Sequence, residues 1–214
     1  MKVSIIVSVY NGEKFVSRAI RSCIEQSMPR EDYEIIVVND GSSDKTKFVL
    51  ESFGDWIKVI SLERNMGLPS ACNIGLKSAL GRYVIRVDAD DYVHRDLIKV
   101  GNMFLGLNPY IDAVAFDYHI VSDLDDRVQR VCARDNPIAC GIMFKKDDLV
   151  DIGLYDETFL LSEDEDLRIR FLKKYSITYI PLPLYRYHMH QDNSTKNNKE
   201  SEKYKKKLKE KHGL

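Results

Sequence analysis

Residues 33–44 read YEIIVVNDGSSD, and this stretch decides the fold prediction. Its β-branched apolar run predicts a buried strand over residues 33–38. The polar residues 39–44 that follow are typical of a turn that caps a helix, and the chain then continues in helical spacing toward Phe53. A strand that leads through a short turn into a helix is the repeating unit of an α/β fold.

The same unit recurs through the first ninety residues. Each apolar run is followed by a turn signal and then by a helical pattern, and the alternation indicates βαβ units around a parallel sheet. The predicted strands cover residues 3–9, 33–38, 56–62 and 83–87, and the clearest helices cover 13–27 and 69–80.

The second half of the chain is less regular. Residues 112–121 and 138–144 predict strands, and a helix begins at Glu163. Residues 176–190 are extended but contain two prolines, which predicts an edge strand or a covering segment. There is no repeat and no Pro- or Gly-rich linker, so we expect one domain over residues 1–195.

Composition limits the functions that are open to this chain. It has 214 residues, 24.7 kDa and a formal net charge of -1, which argues against a general nucleic-acid binder. The balance hides a Lys-rich tail over residues 196–214, with eight Lys and three Glu. No apolar run approaches a membrane span of about 20 residues, and the four cysteines form no CxxC pair. We expect a reduced, cytoplasmic protein.

Three polar clusters follow predicted strands, at residues 10–12, 39–41 and 88–91. Any one of them is compatible with a simple turn. In a parallel sheet, however, the carboxyl ends of the strands meet at one edge, where ligands of α/β proteins bind. We therefore expect the three clusters to line one crevice.

Two of these clusters contain carboxylates, and the sequence allows two roles for each. Asp88 and Asp90 are either a solvated acidic turn or oxygen ligands for Mg²⁺ or Mn²⁺, which favour such ligation together with substrate phosphates. Asp40 either caps the next helix or accepts from an N–H of a nucleotide base. Ser42, Ser43 and Asp44 can supply the cap instead, which leaves Asp40 free.

Four consecutive acids occupy residues 163–166. The helix dipole favours one or two acids in a first turn, but four repel one another and need a cation or a functional reason. One of them near a substrate hydroxyl would serve as a general base. His188 and His190 lie two apart in an extended segment and point the same way, toward the crevice if this segment folds back over it.

These motifs, in this order and spacing, resemble the nucleotide-sugar-dependent glycosyltransferases of family 2, which have the GT-A fold. The resemblance covers nearly everything from residue 3 to about 195. The matching segments are 4–11, 34–44, 65–67, 73–75, 81–83, 88–91, 141–144, 153–157, 162–164 and 185–187 with His190.

The resemblance implies an α/β fold with a Rossmann-related, mostly parallel central sheet flanked by helices. It divides the single catalytic domain into a nucleotide-sugar-binding half, residues 1–92, and an acceptor and catalytic-base half, residues 93–195. It also implies a role for each matching residue: Asp164 is the catalytic base; Asp88, Asp90 and His190 hold a divalent Mn²⁺ or Mg²⁺; and the donor contacts are Val9, Tyr10, Asn11, Asp40, Asn65, Gly67, Asn73, Asp88, Ala89 and Asp90.

The chain also departs from the pattern. Many relatives carry Arg before the Asn-x-Gly that here begins at Asn73, whereas this chain has Cys72, so a basic donor contact is missing or comes from elsewhere, such as Arg64. The Lys-rich tail has two readings, a solvated helix or a peripheral contact with an anionic membrane surface.

The resemblance therefore predicts an inverting, metal-dependent glycosyltransferase. It would move a sugar from a nucleotide-sugar donor, a UDP-sugar, to a hydroxyl of a sugar or lipid-linked glycan acceptor in cell-surface polysaccharide or glycoconjugate synthesis. Two alternatives stay open on sequence. A sugar-1-phosphate nucleotidyltransferase would start with a Gly-rich loop, and a phospho-receiver domain needs an acidic pair after the first strand, where this chain has Tyr10 and Asn11.

Overall fold

A computed structural model describes residues 1–122, 127–190 and 198–213. The boundary expected between residues 195 and 196 lies outside this range. The strands are β1 (Val3–Val9), β2 (Tyr33–Asn39), β3 (Lys58–Ser61), β4 (Tyr83–Arg86), β5 (Tyr92–Val93), β6 (Ala113–Val121), β7 (Arg127–Val131), β8 (Ile142–Lys145) and β9 (Ile177–His188). The α-helices are α1 (Val16–Ile24), α2 (Thr46–Glu51), α3 (Leu68–Ser78), α4 (Leu97–Leu107), α5 (Lys146–Asp151), α6 (Glu163–Leu172) and α7 (Asn198–His212).

The described strands form one sheet in the order β3-β2-β1-β4-β8-β6-β9-β5, with β7 paired to β6. Strands β1 to β4 are parallel: β1 pairs with β2 and with β4, and β2 pairs with β3. Strands β8, β5 and β7 add antiparallel pairs in the second half, and β9 runs parallel to β6. The predicted α/β fold with a central sheet flanked by helices is confirmed.

The edge position predicted from the prolines of residues 176–190 holds for the first part of β9 and not for its end. Among the described strands, residues 177–180 pair with β6 alone, and the short β5 pairs on the other side only with Tyr185 and Arg186. The prolines at 181 and 183 lie where the register with β6 shifts, between Phe116 and Tyr118. Because the shift takes them out of the ladder, no hydrogen bond is lost to their missing N–H groups.

Helices cover both faces of the sheet. Every residue of β1 is buried, and its side chains alternate between two cores. Ile5 belongs to the core with α1, α2 and α4, whereas Ile6 packs with Cys72 and Leu76 of α3 in the core that also includes α5 and α6. Burial on both faces explains why β1 and β2 read as continuous apolar runs.

The register fixes which side chains meet at the end of the sheet. Val9 pairs with Asn39, and Ile6 pairs with Arg86, so β1, β2 and β4 end at the same edge. The polar clusters that follow these three strands therefore share one edge, as the sequence predicted.

All four cysteines are free thiols, and Cys23 is fully buried on α1. Among the described residues, no helix combines the length and the apolar character needed to cross a bilayer.

Candidate active site

A cleft of about 760 Å³ opens at this edge of the sheet. Its lining includes residues after β1 and β4, the loop before α6 with the first turn of that helix, and Tyr187 and His190 at the end of β9. Of the residues predicted to act, the lining includes Val9, Tyr10, Asn11, Asp88, Ala89, Asp90, Asp164 and His190. Their placement together is observed, whereas the individual roles stay predictions.

Hydrogen bonds tie the segment after β1 to the turn after β2. The Asn11 backbone N–H donates to Ser42 Oγ at 2.9 Å, and Asn11 Oδ1 accepts from the Ser43 N–H at 2.8 Å. Asn11 has a left-handed backbone, with φ of 50°, which an Asn tolerates well. With the segment held by these hydrogen bonds, the Tyr10 side chain lies at the cleft and is 51% exposed.

Asp40 lies behind the cleft wall rather than in the lining. It is 3% exposed, and its Oδ1 and Oδ2 accept from the backbone N–H groups of Met66 and Gly67 at 2.7 and 3.0 Å. The carboxylate therefore fixes the 65–67 loop. Each oxygen has a second lone pair, so a further donor is compatible with this geometry.

Three more residues predicted to contact the nucleotide-sugar, Asn65, Gly67 and Asn73, also lie outside the cleft lining. Asn65 Oδ1 accepts from the Gly67 N–H at 2.9 Å within the same loop. Asn73 is 4% exposed and exchanges hydrogen bonds with the Tyr155 backbone while donating to Glu157 Oε1 at 2.9 Å. Each of these residues has a role within the fold, and its contact with a nucleotide-sugar stays a prediction.

Arg86, at the end of β4, was missed as a site residue. Its side chain is 9% exposed, and its guanidinium pairs with Asp88 Oδ1 at 2.7 Å and with Glu163 Oε1 at 2.9 Å. It thus joins the segment after β4 to the first turn of α6. The signal was present in the sequence, because a charged residue inside an apolar strand needs buried partners.

Burial raises the pKa of the Glu163 carboxyl even though the Arg86 charge acts to lower it. The Arg86 charge thus offsets part of the cost of burying the ionised form of Glu163. The pair is a buried ion pair whose rupture would leave an uncompensated charge.

Asp90 contacts His190, with Oδ2 and Nε2 2.8 Å apart. The His190 ring stacks on Phe15, with centroids 4.4 Å apart, and His188 lies 5.2 Å from His190. The prediction that the two histidines point the same way is confirmed. Phe15 at the start of α1 thus orients His190 toward the cleft.

Asp91 does not line the cleft, and its side chain connects elements of the fold. Its carboxylate accepts from the Tyr185 hydroxyl at 2.7 Å and from the His188 backbone N–H at 2.8 Å, which fastens the turn after β4 to β9. Burial raises the pKa of Asp91 well above the ordinary range, and the charges of Asp88 and Asp90 add to this effect.

The ligand atoms of Asp88, Asp91 and Cys140 lie within 4.8 Å of one another. Burial raises the pKa of the Cys140 thiol well above its usual value, and a protonated thiol is a poor metal ligand. The carboxylates of Asp88 and Asp90 are the hard oxygen ligands that Mg²⁺ and Mn²⁺ prefer, and both line the cleft. In their chemistry these two carboxylates therefore suit a hard divalent cation, and their role as its ligands stays a prediction.

Three of the four acids at residues 163–166 lie beside cations that offset their mutual repulsion. Glu163 pairs with Arg86, Asp164 lies 3.9 Å from Arg168, and Asp166 accepts from Arg170 at 2.8 Å. Of these pairs, that of Asp164 is the loosest. Its carboxylate lines the cleft and keeps 23% of its side chain exposed, so it is available to a substrate.

The family model for glycosyl transferase family 2 matches residues 4–155, which is most of the chain. The chain belongs to glycosyl transferase family 2. This finding confirms the family predicted from the motifs. It also argues against both the nucleotidyltransferase and the phospho-receiver alternatives.

Among its relatives is the poly(ribitol-phosphate) β-N-acetylglucosaminyltransferase TarS of Staphylococcus aureus. This family 2 chain is 37% identical to it over 108 residues, which cover 49% of the chain and 19% of the relative. The family 2 chain therefore spans a small part of that relative's length.

Solved structures share the fold. The crystal structure of S. aureus TarS residues 1–349 in complex with UDP is 25% identical, with a TM-score of 0.75 over 88% of this chain and 61% of that one. A mannosyltransferase of Pyrobaculum calidifontis in complex with GDP-Man and Mn²⁺ is 20% identical, with a TM-score of 0.73 over 90% of this chain and 58% of that one. The family 2 chain thus has the fold of nucleotide-sugar enzymes.

Proposed function

We propose that this protein is an inverting glycosyltransferase that moves a sugar from a UDP-sugar to an acceptor hydroxyl. The observation that carries the proposal is the single cleft that brings the segments after β1 and β4 together with the acidic first turn of α6. A donor held at the strand ends would present its sugar to the acids opposite. The family membership and the UDP complex of TarS support this assignment.

On the donor side, Tyr10 and Asn11 would contact the nucleotide. The exposed Tyr10 ring offers an apolar face for a base, and the segment that carries it is held in place by Ser42 and Ser43. Asp40 would reach the base only through a lone pair that the 65–67 loop leaves open.

Asp88, Asp90 and His190 would hold Mn²⁺ or Mg²⁺. When bound, the cation would neutralise charge on the diphosphate of the donor. The Mn²⁺ complex of the Pyrobaculum mannosyltransferase, a protein of the same fold, supports this part of the proposal. The Asp90–His190 contact already orients both side chains.

Asp164 would act as the general base. Its carboxylate accepts the proton of the acceptor hydroxyl as that oxygen bonds to the anomeric carbon of the donor sugar. The bond from the anomeric carbon to the diphosphate oxygen breaks, and its electron pair leaves with the nucleoside diphosphate. One displacement of this kind inverts the anomeric configuration.

For the acceptor we propose a sugar or lipid-linked glycan of a cell-surface polysaccharide, because TarS is named for transfer to poly(ribitol-phosphate). A lipid-linked acceptor would bring the protein to the inner face of the membrane. The outward lysines of α7, among them Lys203, Lys206 and Lys209, offer a peripheral contact there. The cytoplasmic location stays a prediction.

The test is thermal unfolding of the protein with UDP, ADP or GDP, each with and without Mn²⁺, followed by donor hydrolysis with a UDP-sugar. We expect UDP with Mn²⁺ to raise the melting temperature more than the other nucleotides do. Asp90→Ala should abolish the Mn²⁺-dependent part of this shift, whereas Asp55→Ala, at an exposed acid away from the cleft, should not. If no nucleoside diphosphate stabilises the protein in a metal-dependent way, the proposal is wrong.

Asp164→Asn separates binding from chemistry. We expect it to keep the UDP–Mn²⁺ shift and to lose at least about a hundredfold in turnover, the usual contribution of a positioned general base. Transfer that continues at the wild-type rate would remove Asp164 from the role of base and leave the donor assignment standing.

A further inference from the structure

Helix α7 carries the Lys-rich sequence, yet one of its faces is buried against the body of the protein. Leu208 is 6% exposed, and the residues at helical spacing on either side of it point inward. The contacts of this face are with residues 156–166 and Lys173. The inward residues are Tyr204, Lys207, Leu208, Lys211 and His212.

The docking is anchored on Asp166, which is fully buried on α6. Its Oδ1 accepts from Lys211 Nζ at 2.6 Å and lies 2.9 Å from His212 Nε2, and Lys211 also pairs with Asp156 at 2.7 Å. Asp166 follows Asp164 by two residues, so α7 is fastened to the same helix turn that carries the proposed base. Helix α7 is therefore part of the site wall rather than a detached tail.

Phe159 completes the contact from the side of the cleft. It is fully buried, with the Tyr204 ring 6.4 Å away and the Lys207 ammonium 4.4 Å above its ring. Lys207 also donates to the Thr158 carbonyl at 2.7 Å. The loop that continues from Phe159 lines the cleft at residues 160–162, so docking of α7 fixes this wall.

Among the described side chains of α7, Lys205 lines the cleft. Within the described residues it has no ion-pair partner, while Lys207 and Lys211 on the same helix are engaged by the body. Its helical neighbours Lys207 and Lys211 dock on residues 156–166, the stretch that also contains Asp164, and Lys205 and Asp164 line the same cleft.

We propose that Lys205 is a specificity-determining residue that binds an anionic group, a phosphate or a carboxylate, of the acceptor. The inference rests on the proposed function, because Asp164 must receive the acceptor hydroxyl and Lys205 lines the same cleft. A lysine is a compact cation with three donors, which suits a phosphate or carboxylate oxygen. A membrane surface is the other candidate for a lysine helix, but Lys205 faces a concave cleft, which a bilayer does not enter.

The experiment measures binding to the full chain saturated with UDP and Mn²⁺, by titration calorimetry. The probes are ribitol 5-phosphate with ribitol as its neutral partner, and glucuronate with glucose as its neutral partner. Three proteins are compared, the wild type, Lys205→Ala and the matched Lys206→Ala, whose side chain is 81% exposed and 3.9 Å from Glu210. Binding of vesicles that contain anionic lipid is measured in parallel.

We expect at least one anionic probe to bind the wild type better than its neutral partner, and Lys205→Ala to weaken that binding about tenfold. Lys206→Ala should bind as the wild type does, and the two probe pairs show whether the group is a phosphate or a carboxylate. Equal binding of both members in each pair, or equal loss in both variants, overturns the inference. A Lys205→Ala effect confined to vesicles overturns it in favour of a membrane contact.

Failure of the proposed function is distinguishable from failure of this inference. If UDP and Mn²⁺ do not bind the wild type, the donor assignment fails before any acceptor is added. If they bind and Lys205→Ala keeps the wild-type UDP affinity and melting temperature, an unchanged response to the anionic probes counts against Lys205 alone.

Discussion

Replacement of Arg86 by Met would remove the charge that joins β4 to α6 and keep most of its volume. Unit charges 2.7 and 2.9 Å from the guanidinium attract it by about 6 kcal/mol each at an effective dielectric constant of about 20. Dehydration of the arginine offsets much of this attraction. Removal of one member of such a buried pair costs about 3–5 kcal/mol, because Glu163 is left as an unpaired buried charge.

For a domain of this size, that loss lowers the melting temperature by about 10 °C. The pH dependence has a defined sign. Without Arg86, burial and the Asp164 charge act on Glu163 and its pKa rises further, so above about pH 4.3 the folded state holds a proton that the unfolded state has lost. We therefore expect the variant to lose more stability at pH 8 than at pH 5.

The assay is urea unfolding followed by circular dichroism at both pH values, with Arg82→Met as the control. Arg82 is exposed just before β4, and its loss should change stability by less than about 0.5 kcal/mol. The double variant Arg86→Met, Glu163→Gln should recover part of the loss. The reasoning would be refuted by a variant Arg86→Met as stable as the wild type, or by no recovery in the double variant.

Three further predictions concern other parts of the molecule. Asp166→Asn should lower the free energy of unfolding by about 3–5 kcal/mol at pH 7, measured by urea unfolding. Burial alone would raise the pKa of Asp166, but its hydrogen bonds to Lys211, His212 and Arg170 outweigh burial and leave the pKa below its ordinary value. The stability difference between wild type and variant should therefore shrink as the pH falls below about 3.9. Gly41→Ala should destabilise by about 2 kcal/mol or more, because φ is +66° and the new Cβ would lie 2.3 Å from the Arg64 carbonyl carbon, whereas Gly106→Ala on open α4 should not destabilise. Cys132 is exposed and should react quickly with a thiol reagent, while burial raises the pKa of the other three thiols and protects them until the protein unfolds.

The first half of the fold was predictable because its signals are local. A strand buried on both faces reads as an unbroken apolar run, and the turns after β1, β2 and β4 carry polar residues that do not belong in a sheet. Parallel pairing then brings those turns to one edge without further information. The common position of residues 10–12 and 88–91 followed from this rule alone.

The second half depends on contacts between residues far apart in the chain. Nothing near Pro181 indicates that the register against β6 shifts there, or that β5 pairs with β9 just beyond the prolines. The use of Asp40 to fix the 65–67 loop was equally hidden, because its partners are backbone N–H groups of a loop 26 residues later. Spacing in a sequence does not encode such pairings.

The charges of the chain have a common explanation in the structure. The acidic first turn of α6 is held in place by cations from three directions: Arg86 from the sheet, Arg168 and Arg170 from its own helix, and Lys211 from α7. Each cation removes one source of repulsion while Asp164 stays at the cleft surface. Because Arg86 also holds Asp88, displacement of α6 would move the segment after β4 as well. A change at Arg86 should therefore disturb the donor side and the base side together, whereas a change at Lys205 should affect only the acceptor.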